Sequence, residues 1–256
     1  MRELRRVFAN RGLSKEGVNQ MISGVQGLIK KAISFKETRC TIISDKPEAL
    51  EAAKKNIIKH RKMLEAYTKT HPSFLYSLNP VAADDGPEVA KLMASASAKA
   101  GVGPMAAVAG VLADLAVEAM LSFEPKMAVV ENGGEVSATS KTPVDVALLA
   151  GDSPLSGRVG FRVEKFPVGI ATSSGVYGHA LSFGEAEAVT VFSEKAGLAD
   201  AAATAICNIV KGDPDQAIRK GLEKALSIEG VEGVLIIYKG KVALAGDIPK
   251  IISIVK

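Results

Sequence analysis

Between Met105 and Phe123 the chain reads MAAVAGVLADLAVEAMLSF, with Asp114 and Glu118 as its charged residues. A helix that is apolar nearly all round must be deeply buried, and this one falls short of about 18 uninterrupted apolar residues of membrane-span character. Its alanines and glycines allow close backbone approach by whatever packs on it. Asp114 and Glu118, one turn apart, form a like-charged pair that is costly unless exposed or bound to a cation. Exposure at one edge of the helix is the expectation. With 256 residues, 47% of them hydrophobic, the chain can build a sizeable core around such a helix. Periodicity does not say whether that helix is wholly internal or is part of a contact in a homo-oligomer.

The rest of the chain divides by texture. RCTIISD reads as a short strand. From Pro47 to Thr70, apolar Leu50, Ala53, Ile57, Leu64 and Tyr67 recur at helical spacing, with Lys, Glu and Arg opposite. HPSFLYSLNPVAADDGP, with three prolines, reads as a connector, and PEVAKLMASASAKA as a helix with proline at its first position. Beyond Met127 come short β-rich runs, MAVVEN, VDVALLA, RVGFRVEKF, VGIATSS and AEAVTVFS, separated by Gly, Pro, Ser and Asp. Two helices, KAGLADAAATAICNIVKG and DPDQAIRKGLEKALSI, follow. GVLIIYKGKVALAG closes the chain as a hairpin about Lys239 and Gly240. The pattern predicts an α+β fold, a mainly antiparallel sheet with helices packed on one face. Without a repeat or linker, residues 1–256 read as one compact domain. Its motif-bearing core spans about 85–212, and a basic strand and helix segment, 1–70, packs on it.

Composition excludes some functions. The net charge of +4 is concentrated early, in LRR, IKK and KHRK, but aromatic residues make up 5% and tryptophan is absent. Single-strand nucleic-acid binders interleave aromatic and basic residues, so no nucleic-acid role is expected. The start MRELRRVFANRGLSKEG has no apolar stretch that could serve as an export signal, and no membrane association is expected. Cys40 and Cys207 are far apart and make no metal pair by spacing, which fits a reduced cytoplasmic setting.

Four segments can carry chemistry. In AGVGPMAAVAG, glycines including Gly103 precede the apolar helix, where unpaired N–H groups and the positive end of the helix dipole suit a phosphate; Gly101, Gly103 and Gly110 can equally serve turns and close packing. In VVENGGEVSAT, Asn132, Gly133 and Gly134 signal a hairpin turn, or a place where a ligand approaches the backbone while Asn132 offers a donor and an acceptor. Thr172, Ser173 and Ser174, with Gly175 and then His179, read as a hydroxyl and amide cradle for phosphate or sugar; no Ser-His-Asp triad is legible. In LADAAATA, Asp200 and Thr204 lie one turn apart, about 5–6 Å between Cβ atoms. They can supply two oxygen ligands to Mg²⁺ or Ca²⁺. Alternatively Asp200 caps the helix AAATAICNIVK, with Thr204 bonded to a preceding carbonyl.

Taken in order, VGPMAAVAG, VVENGGEV, TSSGVYGHALSFGEAEAVTV and LADAAATAICN resemble the ApbE-like superfamily of FAD-dependent protein flavin transferases, a T-fold-related α+β fold. The resemblance implies that Asp200 and Thr204 of a D-x-x-x-T motif hold Mg²⁺, with a backbone carbonyl from the GPMAA turn, at Ala106, as third ligand. It implies that FAD lies in the adjoining cleft, lined by Gly103, Asn132, Gly133, Gly134, Thr172, Ser173, Ser174, Gly175 and His179. The implied reaction cleaves the FAD pyrophosphate and moves FMN to a Thr or Ser of a protein acceptor. Two departures stand out. GPMAAVAG lacks the lysine of the transferases' GGIAKG-like sequence, and HALSFGEAEAV keeps His179 but not their H-x-x-D-P-x-T-G run. Those losses leave open a non-catalytic nucleotide-binding or interaction protein on the same fold.

Overall fold

The computed structural model describes residues 27–151, 153–176 and 183–254. In chain order the elements are β1 (Ile29–Phe35), β2 (Thr38–Ser44), α1 (Pro47–Thr70), α2 (Pro72–Tyr76), α3 (Glu88–Ala100), a 3₁₀ turn (Pro104–Ala107) and α4 (Val108–Leu121). They continue with β3 (Met127–Asn132), β4 (Glu135–Ser140), β5 (Val144–Ala147), β6 (Val159–Val163), β7 (Val168–Ser173) and β8 (Ala188–Ser193). The last are α5 (Ala196–Ile209), α6 (Pro214–Ser227), β9 (Val231–Tyr238), β10 (Lys241–Gly246) and β11 (Lys250–Ser253). Eight strands form one sheet in the order β1-β2-β3-β4-β7-β8-β9-β10, and every neighbouring pair is antiparallel. A second antiparallel sheet, β11-β6-β5, covers part of one face.

The α+β fold and the antiparallel pairing are as the sequence predicts, but the strands divide between two sheets. β5 and β6, from VDVALLA and RVGFRVEKF, leave the main sheet and lie over it. Phe161 of β6 meets Phe192 of β8 edge to face, with ring centroids 4.8 Å apart. Around that pair Val129, Val136, Val146, Ile170 and Leu235 fill the space between the sheets. The opposite face is covered by helices: Leu112 of α4, Met93 of α3 and Ala199, Ala202 and Ile206 of α5 pack on Val189, Val191 and Ile236. Because both faces of β8 are covered, AVTVFS is buried at every position, where a half-exposed strand would alternate.

Other differences are local. The connector after α1 contains the short helix α2, whose Phe74 is fully buried and stands edge to face with Tyr67 at 5.3 Å. Pro87 is the N-cap of α3, one position before the helix proper. β1 and β11 carried no strong strand signal: β1 is a largely exposed edge strand, and β11 is four residues long. Pro104–Leu121 has the length and hydropathy to cross a membrane, yet its apolar surface is packed against α1, α5 and the main sheet.

Candidate functional site

The first turns of α4 and α5 cross almost in contact. A Cβ added to Gly110 would stand 2.2 Å from the Ala196 carbonyl oxygen, and one on Gly169 of β7 2.1 Å from the Ala196 nitrogen. Nothing larger than glycine lets these backbones meet. The first N–H groups of a helix have no partner within it, and neither helix has a side-chain cap of its own. Each is capped by an acid of the other. Asp114 of α4 accepts from Ala196 N at 3.0 Å and Gly197 N at 2.9 Å, and from Ser137 Oγ at 2.7 Å. Asp200 of α5 accepts from Gly110 N at 3.0 Å through Oδ2.

This exchange overturns two expectations. Asp200 does not cap its own helix, because α5 begins four residues earlier, at Ala196; the capping chemistry is right and its target is the neighbouring helix. Of the like-charged pair on α4, Glu118 is exposed, but Asp114 turns inward to the start of α5. At the start of α4, Asp200 takes the Gly110 N–H. Burial raises the Asp114 carboxyl in spite of its three hydrogen bonds. It pushes Asp200 further, up to about 7, against the pull of the Gly110 and Ala109 N–H groups and with repulsion from Asp114 added.

The β3–β4 hairpin brings a third acid to the same place. Asn132 pairs with Glu135 across a two-residue turn in which Gly133 (φ 72°) and Gly134 (φ 124°) adopt backbone conformations that disfavour other residues. Asn132 is buried, and its Nδ2 donates to Ala109 O at 2.9 Å, which ties the turn to the start of α4. Along β4 the side chains alternate: Val136 and Ala138 enter the core between the sheets, whereas Ser137 reaches Asp114. Glu135 therefore shares the helix-covered face with Ser137. Its carboxyl is raised well above the ordinary range, first by burial and then by the Asp200 charge.

The other expected residues are distributed as follows. Thr204 is half-buried one turn beyond Asp200, and Ala106 is half-buried in the 3₁₀ turn before α4, its N–H bonded to Gly103 O at 3.1 Å. A Cβ on Gly103 would lie 1.8 Å from the Ser77 carbonyl oxygen, so close packing accounts for this glycine. Thr172 follows Ile170 in the alternation of β7, faces the small sheet, and shares a hydrogen bond of 2.9 Å with Thr190. It is thus on the opposite face of the sheet from Asp200 and does not join it, whereas Ser173 has the parity of Ala171 on the helix face. Ser174 Oγ accepts from Val176 N at 3.2 Å. The Gly175 N–H bonds Ala186 O at 2.9 Å, and a Cβ there would stand 2.1 Å from Gly184 O. His179 lies outside the described residues. A separate cleft of about 160 Å³ opens at the other end of β7, lined by Arg162, Lys165, Val168, Phe192, Asp247 and Lys250 among others.

Sequence reading passed over Glu135 and the inward role of Asp114. A signal was present: EVSATS alternates polar and apolar residues, and its polar row lies beneath the most apolar helix of the chain. A polar row in such a place needs partners.

These features define an ApbE-like protein. Its fold is that of the Pseudomonas stutzeri flavinyl transferase ApbE (TM-score 0.54, 14% identity, 86% of this chain and 94% of that one). It is also that of the Thermotoga maritima ApbE protein (TM-score 0.55, 15% identity, 86% and 96%). More specifically, the family described as AbpE bacteria matches residues 26–243, and the chain belongs to that family. Archaeal relatives share much more sequence. A UPF0280 protein of Methanococcus vannielii is 43% identical over 230 residues, 88% of this chain and 93% of its own. One of Methanopyrus kandleri is 45% identical over 227 residues, 87% and 92%.

Proposed function

We propose that this protein binds a divalent cation and a flavin dinucleotide where α4, α5 and the β3–β4 turn meet, and transfers FMN from FAD to a hydroxyl of a protein acceptor in the cytoplasm. The observation that carries the reading is the position of Asp200. It is a half-buried acid with one oxygen engaged by Gly110 N, near the acidic Glu135, in the motif where the superfamily resemblance implies a metal ligand.

The donor set fits a hard cation. Asp200 Oδ1, the Thr204 hydroxyl and the Ala106 carbonyl are all oxygens, as Mg²⁺ and Ca²⁺ require. Among the described residues no three His, Cys, Asp or Glu side chains stand close enough to hold a metal unaided. Backbone, hydroxyl and phosphate oxygens would complete the shell. When bound, the cation offsets charge on the phosphoryl oxygens of the pyrophosphate. The chain's own residues prepare the place. Gly110 N orients the Asp200 carboxylate, Asn132 fixes the glycine turn against α4, and Gly133 and Gly134 let a ligand approach the backbone. In the transfer the acceptor oxygen bonds to the FMN phosphorus as the bond to AMP breaks. AMP leaves with the bridging oxygen, and the hydroxyl proton passes to a base. Cys40 and Cys207 are both buried and are not joined in a disulfide, which supports a reducing compartment.

A second reading, a nucleotide-binding protein without turnover, is favoured by the missing lysine in GPMAAVAG. Purified protein given FAD and Mg²⁺ separates the two. AMP release that stops on chelation supports transfer or pyrophosphate cleavage; FAD binding without AMP supports the second reading; neither result contradicts both.

A further inference from the structure

We propose that Glu135 is a further ligand of this cation, facing Asp200 across it from the first position of β4. The inference rests on the reading of the site given above and adds to it a residue that the superfamily resemblance does not assign.

Three features converge on it. The first is register. Glu135 pairs with Asn132, and Asn132 is tied to Ala109 O beside the Gly110 N–H that Asp200 accepts. The start of α4 therefore anchors both elements that carry the acids. The second is the lack of partners. The Glu135 side chain is half-buried, and among the described residues it receives no hydrogen bond from another residue and no lysine, arginine or histidine pairs with it or with Asp200. Contrast Glu131 of the same hairpin, whose Oε1 accepts from Gly134 N at 2.9 Å and which faces Lys30. The third is space. A Cβ on Gly134 would meet no atom within 4 Å, and one on Gly133 would meet Glu135 Oε2 alone, at 3.5 Å. The turn beside the unpaired carboxyl thus borders open volume that a ligand can enter.

Two half-buried acids without a counter-charge repel each other, and a cation held between them removes that cost.

The test measures Mn²⁺ binding by electron paramagnetic resonance and the Mn²⁺-induced rise in melting temperature, for the intact chain and for Glu135→Gln and Asp200→Asn. Loss of a ligand should weaken Mn²⁺ binding by about tenfold to a hundredfold or more. Without metal, Glu135→Gln should melt no lower than the unaltered chain, because the substitution relieves repulsion. Mn²⁺ affinity unchanged in Glu135→Gln but lost in Asp200→Asn overturns the proposal and leaves the Asp200 site standing. Failure of the unaltered chain to bind Mn²⁺ overturns the site itself. Should Glu135→Gln not fold, Glu135→Asp gives the same decision: weakened Mn²⁺ binding supports the assignment, and unchanged binding refutes it.

Discussion

Removing the Asp114 carboxylate tests the crossed caps, because α5 has no cap of its own. Asp114→Ala leaves Ala196 N and Gly197 N, now held at 3.0 and 2.9 Å, without an acceptor, and releases Ser137 Oγ. Each buried donor left unpaired costs about 1–3 kcal/mol, and loss of a helix cap about 0.5–2 kcal/mol. Against that stands relief of the desolvated charge that burial imposes on Asp114. The net expectation is a loss of about 3 kcal/mol, which for a domain of this size lowers the melting temperature by about 6–12 °C. Asp114→Asn keeps one acceptor oxygen and should lose about half as much. Urea denaturation gives the free energy, and amide exchange gives the location, since Ala196 and Gly197 should lose protection before the sheet does. A loss below about 0.5 kcal/mol, with both amides still protected, would refute the argument that Asp114 holds the start of α5.

Gly110→Ala drives a methyl against the Ala196 carbonyl oxygen, 2.2 Å from the ideal Cβ position. Both groups are backbone-anchored, so a loss of about 1–3 kcal/mol or more is expected by urea denaturation, where a mere helix-propensity effect would stabilise. Asp200→Ala should abolish divalent-cation binding by calorimetry and also lower stability by about 1 kcal/mol through the lost cap on Gly110 N. His60 is buried and its pKa is lowered, by desolvation and then by Lys59, with Glu88 opposing. The unfolded chain, titrating near 6.5, therefore binds the proton more readily, and stability falls as pH drops below about 6.5 toward the folded value. The urea midpoint of His60→Gln should fall less than that of the unaltered chain between about pH 7 and pH 5; equal falls would exclude His60 as the cause.

Much of the fold was legible because its signals are local. The 3.6-residue recurrence of Leu50, Ala53, Ile57 and Leu64 gives α1 its observed span, Pro47–Thr70, and Asn132-Gly133-Gly134 and Lys239-Gly240 signal two of the hairpin turns. The division into two sheets was not legible, since VDVALLA and VGIATSS have the same texture and differ in which strand they find. The site was legible in the same limited way. Spacing put Asp200 and Thr204 on one helical face and left Asp200 with two uses, a cap on its own helix or a ligand. That the cap serves α4 depends on a crossing between residues 90 apart in sequence. Thr172 and Ser173 are neighbours in sequence, but the alternation of β7 sends them to opposite faces, and the hydroxyl run TSS does not reveal which faces the helices.

In the proposed site, Asp200, Glu135 and the Gly133–Gly134 turn hold a divalent cation and the FAD pyrophosphate. A crystal structure with FAD and Mn²⁺ tests it most directly. The expected result is an anomalous Mn²⁺ peak bonded to Asp200 and to a pyrophosphate oxygen, with Thr204 and Glu135 in or beside the coordination shell. FAD seated elsewhere, for instance in the cleft of Arg162 and Lys165, or no metal at Asp200 at saturating Mn²⁺, would contradict it.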